Sequence, residues 1–194
     1  MAPRVIQTAL QAGADVMVLS VSGLVGRDDL INLAREQGRR IYVPTGAIAG
    51  LDAVRAAAIA GIDQVTLTTT KPPRGLAGAP YVVEQAVDLE QITAPTVIFE
   101  GNVIEAVQAF PANVNVSAAL ALAGIGAERT RVKVVCDPTS ESNRHQIEVV
   151  GASGRLAIEV DNVPSPSNPK TSYLAALSAI ALLQRLTSPV TVGT

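Results

Sequence analysis

The first forty-five residues alternate between two hydrophobic periods, and that alternation restricts the chain to few architectures. From Pro3 to Ala12, Val5, Ile6, Ala9 and Leu10 mark one face of a helix, and Gly13 stops it. Asp15 leads into an unbroken apolar run, Val16, Met17, Val18 and Leu19, which reads as a buried strand. After Ser20 to Gly26, Asp28 or Asp29 opens a second helix with Leu30, Ile31, Leu33 and Ala34 facing inward. Gly38 closes it, and Ile41, Tyr42 and Val43 form the next strand. Helix, strand, helix, strand predicts a parallel layer with right-handed crossovers.

Two strands make a thin parallel layer. A dinucleotide-binding half-sheet opens with a strand, a G-x-G-x-x-G turn and a helix whose first amides hold a pyrophosphate. This sequence holds no such motif and starts on a helix. Residues 1–45 therefore read as the C-terminal part of a dinucleotide-binding domain, its remaining strands lying ahead of Met1 or supplied by another chain.

A second unit spans residues 46–169. Thr45 to Gly50 is a small-residue turn feeding an alanine-rich helix, Leu51 to Ala60, and Gly61 ends that helix ahead of a β-branched strand, Val65 to Thr70. Pro72 and Pro73 break the strand. Beyond a Pro/Gly loop lie a strand at Thr96 to Phe99, a helix at Val103 to Phe110 and a helix starting near Asn113. Arg131 to Cys136, His145 to Val150 and Leu156 to Val160 follow with short turns between them, the pattern of an antiparallel meander. Residues 170–194 carry an amphipathic helix, Ser172 to Leu186, predicted to return to the first unit. The fold class is thus α/β plus α+β, a partial Rossmann-like parallel layer followed by a mixed or antiparallel sheet with helices.

Composition narrows the function. Only 16% of the 194 residues are charged and 48% are hydrophobic, against about a quarter charged in an ordinary soluble domain. Such a chain folds around a packed interior of small residues. The net charge of -2 and the scattered bases offer nothing to a row of phosphates, and aromatics at 3% cannot stack bases, so nucleic acid is not an expected partner. Cys136 is the one cysteine and His145 the one histidine, which leaves no intramolecular disulfide and no Cys/His zinc site. Val114 to Ala127 and Tyr173 to Leu183 fall short of the roughly 18 residues of a membrane span. A cytoplasmic protein is expected.

Six stretches carry a resemblance: Gly46-Ala47-Ile48-Ala49-Gly50-Leu51-Asp52-Ala53, Thr68-Thr69-Thr70-Lys71-Pro72-Pro73, Phe99-Glu100-Gly101-Asn102, Pro111-Ala112-Asn113-Val114-Asn115-Val116, Asn143-Arg144-His145 and Asn168-Pro169-Lys170-Thr171-Ser172. In these segments and their order the chain resembles the L-aspartate dehydrogenase family, NAD(P)-dependent enzymes that make iminoaspartate for NAD synthesis. The resemblance implies a dihydrodipicolinate-reductase-like fold, NAD or NADP as cofactor, and a small dicarboxylate amino acid as substrate. It also implies His145 as the catalytic histidine and Ala49 and Asn115 as cofactor contacts.

The residues themselves leave more than one reading for each of these positions. Imidazole, with an unperturbed pKa of about 6.5, exchanges protons near neutrality, but a lone strand histidine is more often an ordinary surface residue. Asn115 could offer its amide to a carboxamide or cap a helix, a job for which Asn113 is equally placed. Ala49 is small enough to lie against a nicotinamide ring, or simply belongs to a βα turn. Ser20, Ser22 and Gly23, at the carboxyl end of a parallel strand, are candidates for the cofactor crevice. Lys71, Lys170 and Arg144 are candidate clamps for the substrate carboxylates. A homodimer is expected, because the meander needs a cover on its second face. Two rivals stay open: a non-catalytic binding or assembly partner, and a reductase or dehydrogenase of another small acid.

Overall fold

The computed structural model describes residues 1–111, 114–166 and 168–193, with Pro169 and Lys170 described by their backbone alone. Gly13, at φ +78°, turns the chain from helix α1 (Ala2–Gln11) into strand β1 (Val16–Met17). β1 pairs in parallel with β2 (Ile41–Tyr42) through the crossover helix α2 (Asp28–Glu36). Asp28 and Asp29 occupy the first turn of α2, where the helix dipole favours negative charge. Ile6 and Leu10 of α1 pack with Val18, Leu24, Leu30 and Ala34 into a small core of their own.

The larger unit is built on a five-stranded mixed sheet. Helix α3 (Leu51–Ala60) leads into β3 (Ile62–Lys71), and the short helix α4 (Pro80–Glu84) precedes β4 (Thr96–Asn102). Helices α5 (Val103–Ala109) and α6 (Asn115–Ala123) then lead to β5 (Thr130–Cys136), β6 (Asn143–Gly151) and β7 (Gly154–Asn162). A reciprocal capping box between Asn102 and Glu105 fixes the turn from β4 into α5.

The sheet order is β4-β5-β3-β6-β7. The three-strand meander expected from the short turns therefore holds only for β6 and β7. β5 does not pair with β6; it lies parallel to β3, and β3 separates the two. The reason is burial. Val65 to Lys71 is buried almost without interruption, as befits a strand paired along both edges, and an edge position would leave its ladder open.

One face of the sheet carries Val65, Leu67, Val132, Val134, Ile147 and Val149 and is covered by helices. The other face carries charged rungs: Lys133 and Arg131 to Glu100, Arg144 to Asp161, and Arg155 to Glu148. Helix α6 is apolar nearly all round, and it lies between the two main core clusters, giving Val116, Ala118, Ala119 and Leu120 to one and Ala121 to the other. This is where the low charge content is used.

β8 (Pro164–Ser165) and β9 (Asn168–Ser172) form a small ribbon that delivers the chain to α7 (Tyr173–Thr187). Ser178 of α7 accepts a 3.0 Å hydrogen bond from the Gly46 amide, and Ala175 packs against the core. The outward side of α7 exposes Leu177, Ile180 and Leu183. Among the described residues no helix is long and apolar enough to cross a membrane.

Candidate active site

The antiparallel register of β3 and β6 sets Thr69 directly opposite His145. Side chains alternate along a strand, so Leu67, Thr69 and Lys71 share the helix-covered face with His145 and Ile147. Directly opposed side chains are close enough to bond. Thr69 Oγ1 and His145 Nδ1 are 3.0 Å apart, both residues only 4% exposed.

His145 and Lys71 open onto a cleft of about 270 Å³. Its far wall comes from the carboxyl ends of β1 and β2, through Ser20, Val21 and the turn Thr45 to Ala47. The start of α6 supplies Asn115, and β6, β9 and α7 supply Asn143, Thr171, Ser172 and Ala175. Ligands of open α/β sheets lie at this end of the strands. A second recess, about 810 Å³, shares Lys71, Asn143 and Thr171 with the first and continues past Arg74, Glu141 and Phe110. A third, about 680 Å³, lies between α2, α3 and α7 and carries Arg35, Arg39, Arg55 and Arg185, but no histidine or lysine.

The electrostatics of the inner cleft are simple, because Lys71 and His145 are the titratable groups among its described lining. Burial pushes the Lys71 ammonium down to about 8. Burial first, and then the Lys71 charge, lowers the His145 imidazole to about 4. At neutral pH the histidine is uncharged and the lysine is near the point of losing its proton. The arrangement can take an anion and can exchange a proton.

The structure brings some of the expected residues together and turns others away. His145, Lys71, Asn115 and Ser20 line one cleft. Ser22 touches it indirectly: its backbone N–H donates to Asn115 Oδ1 at 3.1 Å, tying the first unit to α6. Asn115 caps nothing, since α6 has Val114 at its cap position without a side-chain bond; Asn113 lies outside the described residues. Gly23 faces helix α1, where an added Cβ would meet Ala2 and Pro3. Arg144, next to His145 in sequence, points to the opposite face and pairs with Asp161 at 2.8 Å. Ala49 is exposed beyond the cleft lining, and Gly46 and Ala47 occupy the wall instead. The backbone of Lys170 lies in β9; its side chain is outside the described residues.

Thr69, Asn143, Thr45 and Ser172 escaped the reading of the sequence. For Thr69 a signal existed, since it shares strand parity with Lys71 in a buried run. Gly50, at φ +74°, has a packing reason: a Cβ there would collide with Ile158 of β7. Asn162 at the end of β7 donates to the Ala47 carbonyl at 3.0 Å and so fixes the wall of the cleft.

A family model described as "Aspartate dehydrogenase, C-terminal" matches residues 52–186. An L-aspartate dehydrogenase of Methanosarcina acetivorans is 54% identical over 98% of this chain and 71% of its own length. Another, of Bradyrhizobium diazoefficiens, is 46% identical over 98% of this chain and 68% of its own. Among solved structures, aspartate dehydrogenase from Thermotoga maritima superposes with a TM-score of 0.79 at 27% identity, over 98% of this chain and 74% of that one.

Proposed function

The chain belongs to the aspartate dehydrogenase family, and on that premise we propose that the cleft under His145 is where it oxidises L-aspartate to iminoaspartate, with NAD or NADP as hydride acceptor. The observation that carries this reading is the meeting of His145, Lys71 and Asn115 at one cleft, from three elements far apart in sequence.

The lining fits a nicotinamide. Gly46 and Ala47 give a wall with little side chain, and Asn115 has its Oδ1 occupied by Ser22, which leaves its amide N–H groups for a carboxamide oxygen. The cleft volume suits the ring end of the cofactor rather than the whole molecule. When bound, the cofactor supplies the redox chemistry. The chain's own residues position the substrate and handle charge and protons.

Oxidation of the amino acid needs two services from the protein. One group must hold a carboxylate, and another must take a proton from the substrate ammonium so that a C=N bond can form. Lys71 and His145 divide these duties. The outer recess beyond Lys71 has room for the rest of a dicarboxylate. We assign a homodimer as the working form, supported by the uncovered charged face of the sheet and the exposed apolar side of α7. A cytoplasmic location is assigned with it, where the pyridine nucleotide pool serves the reaction.

The test is NADH or NADPH formation with L-aspartate by the full protein and by His145→Ala. Aspartate-dependent reduction that falls at least about a hundredfold in the variant is expected, the range for loss of a positioned polar group at a reacting centre. Equal rates would remove His145 from the reaction, and no reduction by the native protein with any small acid would remove the enzyme.

A further inference from the structure

Among the described residues, the Thr69 hydroxyl has one hydrogen-bond partner, His145 Nδ1, at 3.0 Å, and His145 has no other. A hydroxyl both donates and accepts, and an uncharged imidazole carries one proton on one of its two nitrogens. If Nδ1–H donated to Thr69, the hydroxyl proton would be left buried with no acceptor, at a cost of about 1–3 kcal/mol. If the hydroxyl donates to Nδ1, both groups are satisfied and the imidazole proton resides on Nε2. Thr69 is 4% exposed, so no bulk water competes for that proton.

We propose that Thr69 is a positioning residue that holds His145 in the Nε2–H form, so that His145 meets the substrate as a hydrogen-bond donor and Lys71 is the base that takes the proton of the substrate ammonium. The assignment rests on the reading of the cleft as an aspartate dehydrogenase site. A nitrogen that already carries its proton cannot accept another, so Nε2 is suited to a carboxylate oxygen of the substrate. Lys71 shares the face and the cleft with it. In the reaction the substrate ammonium gives a proton to the neutral Lys71 amine. That frees the nitrogen lone pair to form the C=N bond; an oxidised pyridine nucleotide, when bound, would supply the acceptor for the α-hydride. Burial keeps the Lys71 amine able to shed its proton near neutral pH. The partner of His145 is a hydroxyl and not a carboxylate, so nothing at Nδ1 draws a second proton onto the ring.

His145 is the only histidine in the chain, so nitrogen-15 NMR of the histidine-labelled full protein reads its tautomer from one pair of signals. The proposal expects a protonated Nε2 and an unprotonated Nδ1 at pH 7; the opposite pattern overturns it, whatever the activity. Thr69→Val should mix the tautomers and lower kcat about tenfold or more, and Thr69→Ser should restore both. His145→Asn, which keeps an N–H donor, should retain more kcat than His145→Ala by about tenfold, whereas equal losses would mark His145 as a base. Lys71→Ala should be rescued in kcat by added primary amines in order of their basicity, and absence of rescue in a folded variant would count against Lys71. Loss of aspartate turnover in the native protein with the Nε2–H signal intact would sink the enzyme reading and leave the Thr69 geometry standing.

Discussion

Lys71 and His145 reach one cleft from neighbouring strands, and the charge on the first adds to burial in lowering the imidazole of the second to about 4. The Lys71 charge disfavours a proton on the ring, and no acid among the described cleft lining offsets it. The ordinary ranking of the two side chains is preserved, but both are shifted down, so the lysine is the group that titrates near working pH.

The rate should therefore follow Lys71. For the full protein, kcat/KM for L-aspartate is expected to climb roughly tenfold per pH unit and to level off near pH 8, with no inflection at the ordinary histidine value near 6.5. Arg74 and Glu141 share the outer recess with Lys71. A pH–rate profile that bends at 6.5 instead would return the proton transfer to His145.

Burying the Lys71 ammonium works against the fold, since its proton affinity is lowered on folding. Lys71→Met, which keeps the stem and drops the charge, should raise stability at pH 7 by about 1–3 kcal/mol while abolishing turnover. Urea denaturation of the two proteins checks it; a less stable variant would show that the contacts of the Lys71 ammonium outweigh the cost of its burial.

His145 gives a signature in acid. Its proton affinity is lowered on folding, so the unfolded chain binds more protons than the folded one between about pH 4 and 6.5. Stability contributed by the uncharged ring is full above pH 6.5 and falls by about 3 kcal/mol as the pH drops toward 4. Equilibrium unfolding at pH 4.5 and 7 should show this slope in the native protein and its loss in His145→Gln.

Asn115 serves the fold and the cofactor through different atoms. Asn115→Ala should cost about 1 kcal/mol of stability with the Ser22 bond, and weaken NAD binding about fivefold to tenfold. Asn115→Asp keeps the acceptor for Ser22 and loses the donors, so it should keep the stability and still lose the binding. Calorimetric titration with NAD and thermal melts separate the two effects.

The opening helix–strand alternation was legible because its signals are local: Gly13 and Gly38 end helices and the apolar runs between them are short. The order of the sheet was not, because β5 and β3 pair across a long stretch of chain and no local signal records the pairing. His145 and Asn115 stood out through their resemblance to a known family. Strand parity explains the misplaced Arg144, which as the neighbour of a buried residue had to face the other way. Thr69 was hidden by its ordinariness, being a β-branched residue in a strand full of them.

The hydroxyl and the ring it holds are 76 residues apart along the chain. No fragment ending before β6 contains both, and no helix or hairpin forming by itself can bring them together. A folding chain must assemble the middle of the sheet before it owns a working imidazole, and contacts of such long range close slowly. Chemical competence is accordingly a late acquisition, arriving after most of the backbone has found its place.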